Sequence, residues 1–397
     1  MSPRPSATEP GPGRPGRAQS DACPGALRLH AADDGALARV RIPGGLLTSR
    51  QALALADAAD ELGDGALETT SRGNVQLRGL AADSGLELGR RLRSAGLLPS
   101  DTHERVRNIV ASPAAGLDGL GYADVQGWVR ALDAALCASA AAAGLSGKFL
   151  FALDDGRGDV AALDADVTLI AVAGGGALLR LGRARTARAV AAGGEVAAAV
   201  AAAVEFLAVA GGAWHVREVS ALDAGSEPLP GFGAPLDIGV LGGAAVCVGL
   251  RFGRVTAAQW RLLASVGDGL RVTPWRSVVV PGAGASALPE LAVAGLRTEA
   301  ESAWAGASAC TGLPGCGKSL ADVRRDAAAA LDSTAAGGLP VHWSGCERRC
   351  GHPSGAWVDV LATGPERYRI SLAGDTSVVE VTREQMATAV AEARRTK

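Results

Sequence analysis

Ala66-Leu-Glu-Thr-Thr-Ser-Arg-Gly-Asn-Val-Gln-Leu-Arg78 reads as one alternating strand. Glu68, Thr70, Arg72, Asn74, Gln76 and Arg78 fall on one face and Leu67, Val75 and Leu77 on the other, because successive strand side chains point to opposite sides. Ahead of it, Thr48-Ser-Arg-Gln51 matches a capping box, with Leu53, Leu55, Ala56, Ala59 and Leu62 following at helical spacing. Gly63-Asp64-Gly65 then stops the helix. The same order returns about two hundred residues later. Thr256-Ala-Ala-Gln259 is a second capping box, Trp260, Leu262, Leu263 and Val266 continue a helix, and Gly267-Asp268-Gly269 precedes a strand over 270–280. Aligning the two Gly-Asp-Gly turns without a gap places Thr69 on Thr273 and Arg72 on Arg276. Three matched features in one order indicate a duplication.

Working outward, each copy leads into a longer segment. After the first come Arg107-Asn108, an Ala-rich helix over 122–143, Gly147-Lys148-Phe149, strands over 167–172 and 177–181, and a helix ending near Ala210. After the second come four cysteines, a helix-like stretch over 318–331, strands over 356–361 and 367–372, and a last helix over 383–395. Mixed strands and helices in two halves give an α+β (α/β) class. Pro- and Gly-rich stretches at 222–234 and 280–288 suggest boundaries. The division expected is a disordered tail over 1–24, a first half-domain over 25–97, a first α/β domain over 98–225, a second half-domain over 226–286 and a second α/β domain over 287–397.

A chain of 397 residues exceeds one ordinary core. Its 39 basic and 41 acidic residues nearly cancel, so there is no electrostatic case for nucleic acid. The longest apolar run, 196–210, is mostly Ala and contains Glu205, which reads as a soluble helix and gives no membrane partner. Residues 1–21 lack the apolar core of a secretory signal, and the seven cysteines are an odd count. These features point to a cytoplasmic protein whose thiols stay reduced and serve metal binding or catalysis.

Four of those thiols form two pairs, Cys310-Thr-Gly-Leu-Pro-Gly-Cys316 and Cys346-Glu-Arg-Arg-Cys350. Gly and Pro around both pairs mark turns that expose sulfur. Structural zinc takes cysteine pairs two to four apart, which the wide first pair fits poorly. An iron–sulfur cubane accepts looser spacing. Gly312-Leu-Pro-Gly-Cys-Gly-Lys-Ser319 also satisfies the P-loop pattern. A P-loop leaves a hydrophobic strand, however, and residues 301–309 contain no β-branched run. Cys23, Cys137 and Cys247 stand alone. The five histidines, His30, His103, His215, His342 and His352, show no ligand spacing, so no iron ligand is assigned among them.

The cysteine pattern, together with Thr70-Ser-Arg72-Gly-Asn-Val-Gln76, Arg107-Asn108 and Gly147-Lys148-Phe149, resembles the nitrite and sulfite reductase superfamily. That resemblance implies two ferredoxin-like half-domains in pseudo-twofold repeat, each followed by an α/β domain. It also implies a [4Fe–4S] cluster on Cys310, Cys316, Cys346 and Cys350. Three features turn the resemblance toward the precorrin-3B synthase family of aerobic cobalamin biosynthesis: the short chain, Leu150 where reductases carry a second lysine, and Trp357 where the sirohaem signature places an acidic residue. Cys350-Gly-His352-Pro353 is similar to the synthase form as well. The resemblance implies O2-dependent hydroxylation and lactone formation on precorrin-3A. Arg72, Arg107 and Lys148 would be catalytic, and Arg72, Gln76, Arg78, Arg107 and Lys148 would bind the substrate carboxylates. It further implies a mononuclear non-haem iron and an electron donor, NADH directly or through a reductase. Sirohaem would be the cofactor only of the alternative, a sulfite or nitrite reductase, and nucleotide binding is a remote third reading.

Overall fold

The computed structural model describes residues 21, 23–334, 336–375 and 377–395; residues 1–20 and 22, most of the expected tail, lie outside it. The first copy contains β1 (His30–Ala32), β2 (Gly35–Val40), β3 (Leu46–Leu47), α1 (Ser49–Leu62), β4 (Ala66–Thr69), β5 (Val75–Leu80) and α2 (Gly85–Ser94). A first α/β segment follows with β6 (Ile109–Ala111), α3 (Gln126–Ala138), β7 (Phe151–Asp154), β8 (Val167–Ala171), β9 (Ala177–Leu181), β10 (Thr186–Val190), α4 (Glu195–Val209) and β11 (Glu227–Pro228). The second copy is β12 (Gly239–Leu241), β13 (Ala245–Gly249), β14 (Arg254–Thr256), α5 (Ala257–Ser265), β15 (Leu270–Val272), β16 (Ser277–Pro281) and α6 (Leu288–Val293). The cysteine-bearing segment closes the chain with β17 (Ala307–Ala309), α7 (Val323–Asp332), β18 (Val341–Ser344), β19 (Val358–Gly364), β20 (Arg367–Leu372), β21 (Val379–Thr382) and α8 (Met386–Arg395). The α+β class and the duplicated module are both present. No described helix is long and apolar enough to cross a membrane.

Both capping boxes form. Thr48 accepts from the Gln51 amide and Thr256 from the Gln259 amide, and each Gln returns to its cap backbone. The single strand read over 66–78 is instead a hairpin, with Leu67 opposite Leu77 and Glu68 opposite Gln76. Thr70 Oγ1 accepts the amides of Arg72 and Asn74, and Gly73 adopts φ 65°, so the chain reverses there. Polar residues at every second position ran unbroken through the turn, which is why periodicity hid it. The second copy reverses likewise, with Thr273 Oγ1 accepting the Trp275 amide. Thr70 bonds its amide to Asn74 O and Thr273 bonds its amide to Ser277 O, so Thr70 corresponds to Thr273. The gapless alignment was therefore one residue out: Arg276, at φ 57°, occupies the place of Gly73 rather than that of Arg72.

The copies interlock. The first sheet runs β1-β2-β5-β4-β14 and the second β12-β13-β16-β15-β3, so each is completed by a strand of the other copy. One apolar core spans both and includes Leu55, Leu67, Leu77, Val246, Val248 and Leu263. Trp260, wholly buried, donates its indole N–H to Ala52 O at 3.1 Å across the two helices. The first α/β segment forms a six-stranded mixed sheet in the order β11-β10-β9-β8-β7-β6. The cysteine segment forms a five-stranded sheet, β17-β18-β19-β20-β21, whose first three strands are parallel.

Candidate active site between the first sheet and the cysteine loops

One face of the first sheet packs into the shared core. The other carries Arg39 on β2, Glu68 on β4 and Gln76 and Arg78 on β5, and it meets the cysteine segment. Gln76 donates to Glu68 at 3.1 Å and accepts from Arg39 at 3.1 Å. Arg78 forks onto Asp34 at 2.9 and 2.8 Å and donates to Gly315 O at 2.9 Å, inside the loop from Cys310 to Cys316. Arg324 joins Glu68 to Cys310 O. Arg72 sits at the hairpin tip, half-buried, with no hydrogen-bond partner for its guanidinium among the described residues. Burial lowers its pKa, as it does those of Arg39 and Arg41, whose charges oppose one another there. Arg39 and Arg41 were not singled out from sequence, because arginines are common in this chain and nothing in β2 marked them.

Asn74 and Asn108 lock the hairpin onto the first α/β segment. Asn74 donates to Asn108 Oδ1 at 2.8 Å and Asn108 donates to Phe149 O at 3.1 Å. Arg41 reaches Gly147 O at 3.1 Å, and Asp166 accepts the Leu150 amide at 2.9 Å. Lys148 is thereby held with its Nζ 3.7 Å from the centre of the Trp214 ring. Leu150 turns inward beside Val110 and Ala152, placing no charge near it. Arg107 is not brought to this site. Its fork is closed on Asp133 at 2.6 and 2.8 Å, its remaining donor reaches Leu97 O, and it borders a separate cavity with Leu47 and Gln51.

Cys310 follows β17 and Cys346 follows β18, neighbouring parallel strands, so the sheet brings these two together. The Gly345 amide donates to Cys310 Sγ at 3.2 Å. Among the described residues no three cysteine sulfurs lie within 4.8 Å of one another. One tetrahedral zinc would hold them about 3.8 Å apart, given its bond lengths. A cubane is wider. The sheet face beside the cysteines is polar: Ser308, His342 and Asp359 are register partners and Ser344 lies two residues on from His342. His342 Nε2, Ser344 Oγ and Asp359 Oδ1 are all buried without a partner among the described residues. Such a group of orphaned atoms suits a bound polar group, and thiols on adjacent strands with no sulfur triad close enough for one zinc fit a wider iron–sulfur cluster better than zinc. His342 donates to or accepts from Ser308 Oγ at 2.8 Å, and burial, with Arg276 adding to it, pushes its pKa down to about 4.

The residues do not fit a mononuclear iron site of two histidines and a carboxylate. Among the described residues the one close group of three potential ligands is Asp154, Asp155 and Asp159. Both oxygens of Asp154 accept backbone amides, from Gly156 and Gly158 and from Val160 and Ala161, and Asp155 holds Arg157. Nor does the segment Gly312–Ser319 form a P-loop. Helix α7 begins only at Val323, and Ser319 Oγ donates to Ala321 O.

Beside Cys350 opens a cleft of about 880 Å³. Ser71 of the first hairpin, Trp275 and Arg276 of the second, Trp304, Arg297 and His352 line it. Neither Arg276 nor Arg297 has a carboxylate partner among the described residues, and burial lowers the pKa of both. His352 stacks on Trp357 at 5.3 Å between ring centres. Sequence periodicity offered no sign of Arg297, which reaches the cleft only through the pairing of its backbone with Gly249.

A fold with this interlocked pair of half-domains and cysteine loops is that of the nitrite and sulfite reductases. Residues 30–95 match the model of the nitrite/sulfite reductase ferredoxin-like half domain. The structure of the Mycobacterium tuberculosis NirA protein superposes with a TM-score of 0.65 at 20% identity, covering 89% of this chain and 79% of that one. More particularly, the chain is 29% identical to a precorrin-3B synthase of Sinorhizobium sp. over 384 residues, which is 89% of this chain and 83% of the relative. A ferredoxin–nitrite reductase of Synechococcus elongatus is 39% identical, but over 127 residues, 25% of its length. The resemblance read from the motifs, to this superfamily and within it to precorrin-3B synthase, is borne out.

Proposed function

We propose that this chain is a precorrin-3B synthase, an oxidoreductase of the monooxygenase type that uses O2 to hydroxylate precorrin-3A and form its lactone in aerobic cobalamin biosynthesis. The observation that carries the reading is likeness to a synthase along nearly the whole chain, against a quarter-length match to a nitrite reductase. The cleft supports it. Arg276 and Arg297 offer unpaired forks to the carboxylates of a tetrapyrrole, while Trp275 and Trp304 offer flat walls to its macrocycle. Arg72 at the hairpin tip, next to the cleft-lining Ser71, and Lys148 over Trp214 would offer further cations to substrate carboxylates. Cys310, Cys316, Cys346 and Cys350 would hold a [4Fe–4S] cluster, which supplies single electrons drawn from NADH directly or through a reductase. The mononuclear iron implied by the resemblance has no assembled ligand set among the described residues, so no step is placed on it. The site of action would be the cytoplasm.

The test is anaerobic purification followed by spectroscopy, iron and sulfide analysis, and incubation with precorrin-3A with and without O2. Broad iron–sulfur absorption and a product heavier by oxygen, formed only with O2, support the reading. A native Soret band with sulfite or nitrite reduction would overturn it. That second reading, a sirohaem reductase, is favoured only by the half-domain match and the partial nitrite reductase likeness.

A further inference from the structure

The P-loop-like stretch is not used for phosphate, yet its glycines are tightly constrained. Cys316 is flanked by Gly315 and Gly317, and both lie against the turn between β1 and β2. The Gly317 amide donates to Asp33 Oδ2 at 2.6 Å. Gly315 O accepts from Arg78 at 2.9 Å, and Arg78 is itself forked onto Asp34. A Cβ added at Gly315 would stand 2.6 Å from Thr311 Cγ2 of its own loop and 2.8 Å from Asp34 Oδ2, and one at Gly317 would stand 3.1 Å from Asp33 Cγ. Gly317 is not in the left-handed region, so its lack of a side chain answers to the space beside Asp33 and not to backbone strain.

We propose that the Asp33-Asp34 turn, with Arg78, is a clasp by which the first copy fixes the position of Cys316. This rests on the reading of the four cysteines as cluster ligands. Cys310 and Cys346 are placed by neighbouring strands of their own sheet. Cys316 lies in a loop without regular structure, and the backbone on both sides of it is held by residues of the first copy. Arg78 is then a positioning residue: its donors hold the loop and do not face the cleft. The first sheet and the cluster would move as one body, and loosening the clasp would free one ligand while leaving the other three in place.

The experiment uses the anaerobically purified full chain as wild type, Asp33→Ala, Gly317→Ala and the double variant. Asp33 is exposed, so its removal strands no buried charge and leaves Asp34–Arg78 intact. Two readouts are taken: backbone hydrogen exchange over residues 312–320, and the rate of iron release to a strong chelator. Losing one hydrogen bond to a charged acceptor should speed each by about tenfold. The double variant should be no faster than the faster single one, because both break the same contact. A merely structural role for Asp33 would change global unfolding without singling out residues 312–320. Wild-type exchange and iron release in both single variants would overturn the clasp. A wild-type protein without iron or sulfide would instead sink the cluster reading, and hydrogen exchange alone would then decide whether the loop is clasped.

Discussion

The outer faces of the two half-domain sheets can be compared position by position, because β2 pairs with β5 as β13 pairs with β16. Where the first sheet places Arg39 opposite Gln76, the second places Cys247 opposite Val279. Pro281 falls where Arg78 stands. The second face is mostly apolar and lies under Leu117, Leu236, Ile238 and Leu241, with Arg271 opposite Val279 turned onto Pro113 O and Ala115 O. The first face is charged and faces the cysteine loops, to which Arg78 bonds through Gly315 O and Glu68 through Arg324. One module thus serves twice: once with its outer face covered, once with that face against the cysteine loops. Duplication supplied the scaffold, and Arg39, Glu68, Gln76 and Arg78 make the outer face of one copy polar.

Exchanging residues between the faces tests that contrast. The largest effect should come from Val279→Arg, which puts a first-copy charge into the covered face. An unpaired charge at a wholly buried position should cost more than about 4 kcal/mol, enough to unfold much of a marginally stable chain. Soluble yield and urea unfolding measure it, and a folded variant would mean that the second face is open.

The next prediction contrasts two buried carboxylates. Glu68 is neutralised by Arg254 and Arg324, whereas Asp159 Oδ2 has no partner among the described residues, and burial pushes the Asp159 pKa up to about 7 from 3.8. With the folded pKa above the unfolded one, the native state holds the extra proton. Stability from this group is present below pH ~4 and is lost as pH rises through about 7. Asp159→Asn should remove that dependence. Between pH 5 and 7 the variant should gain up to ~3 kcal/mol relative to wild type, read by thermal unfolding at each pH.

Arg276→Ala and Arg297→Ala should each weaken substrate binding by about tenfold while leaving stability nearly unchanged, since neither guanidinium has a carboxylate to abandon among the described residues. KM for precorrin-3A, or substrate-induced stabilisation, is the measure. Arg107→Ala should act in the opposite way, losing stability and leaving KM alone, because Asp133 and not the cleft holds its fork. The smallest effect belongs to Gln76→Val, which installs the second-copy residue type in the first face. Losing the bonds to Glu68 and Arg39 should cost about 1–2 kcal/mol in unfolding free energy.

Much of this was readable in the chain. The capping boxes at Thr48 and Thr256 formed as written, because they depend on four consecutive residues. The repeat was legible for the same reason, and the cysteine spacing pointed to turns. What failed was register. Alternation through Thr70 and Arg72 concealed a reversal that a Thr hydroxyl and Gly73 impose, and the missing residue after Gly267-Asp268-Gly269 shifted the second copy by one. Arg107 shows another limit. A motif gave it a place in the site, yet the nearest carboxylate in space, Asp133, lies twenty-six residues on and closed its fork.

The sequence by itself determined the elements, the duplication, the class of fold and the four thiols set on turns, since these follow from local hydrogen bonding and from hydrophobic period. Only the tertiary structure decided which of two like sheets meets the cysteine loops and which arginines, among the described residues, lack a carboxylate partner. It also decided why the cysteine between Gly315 and Gly317 is flanked by glycine. Those outcomes depend on partners more than two hundred residues apart, such as Asp33 and Gly317. No local pattern records such a partner, because the free energy of a charged side chain is set by what packs against it.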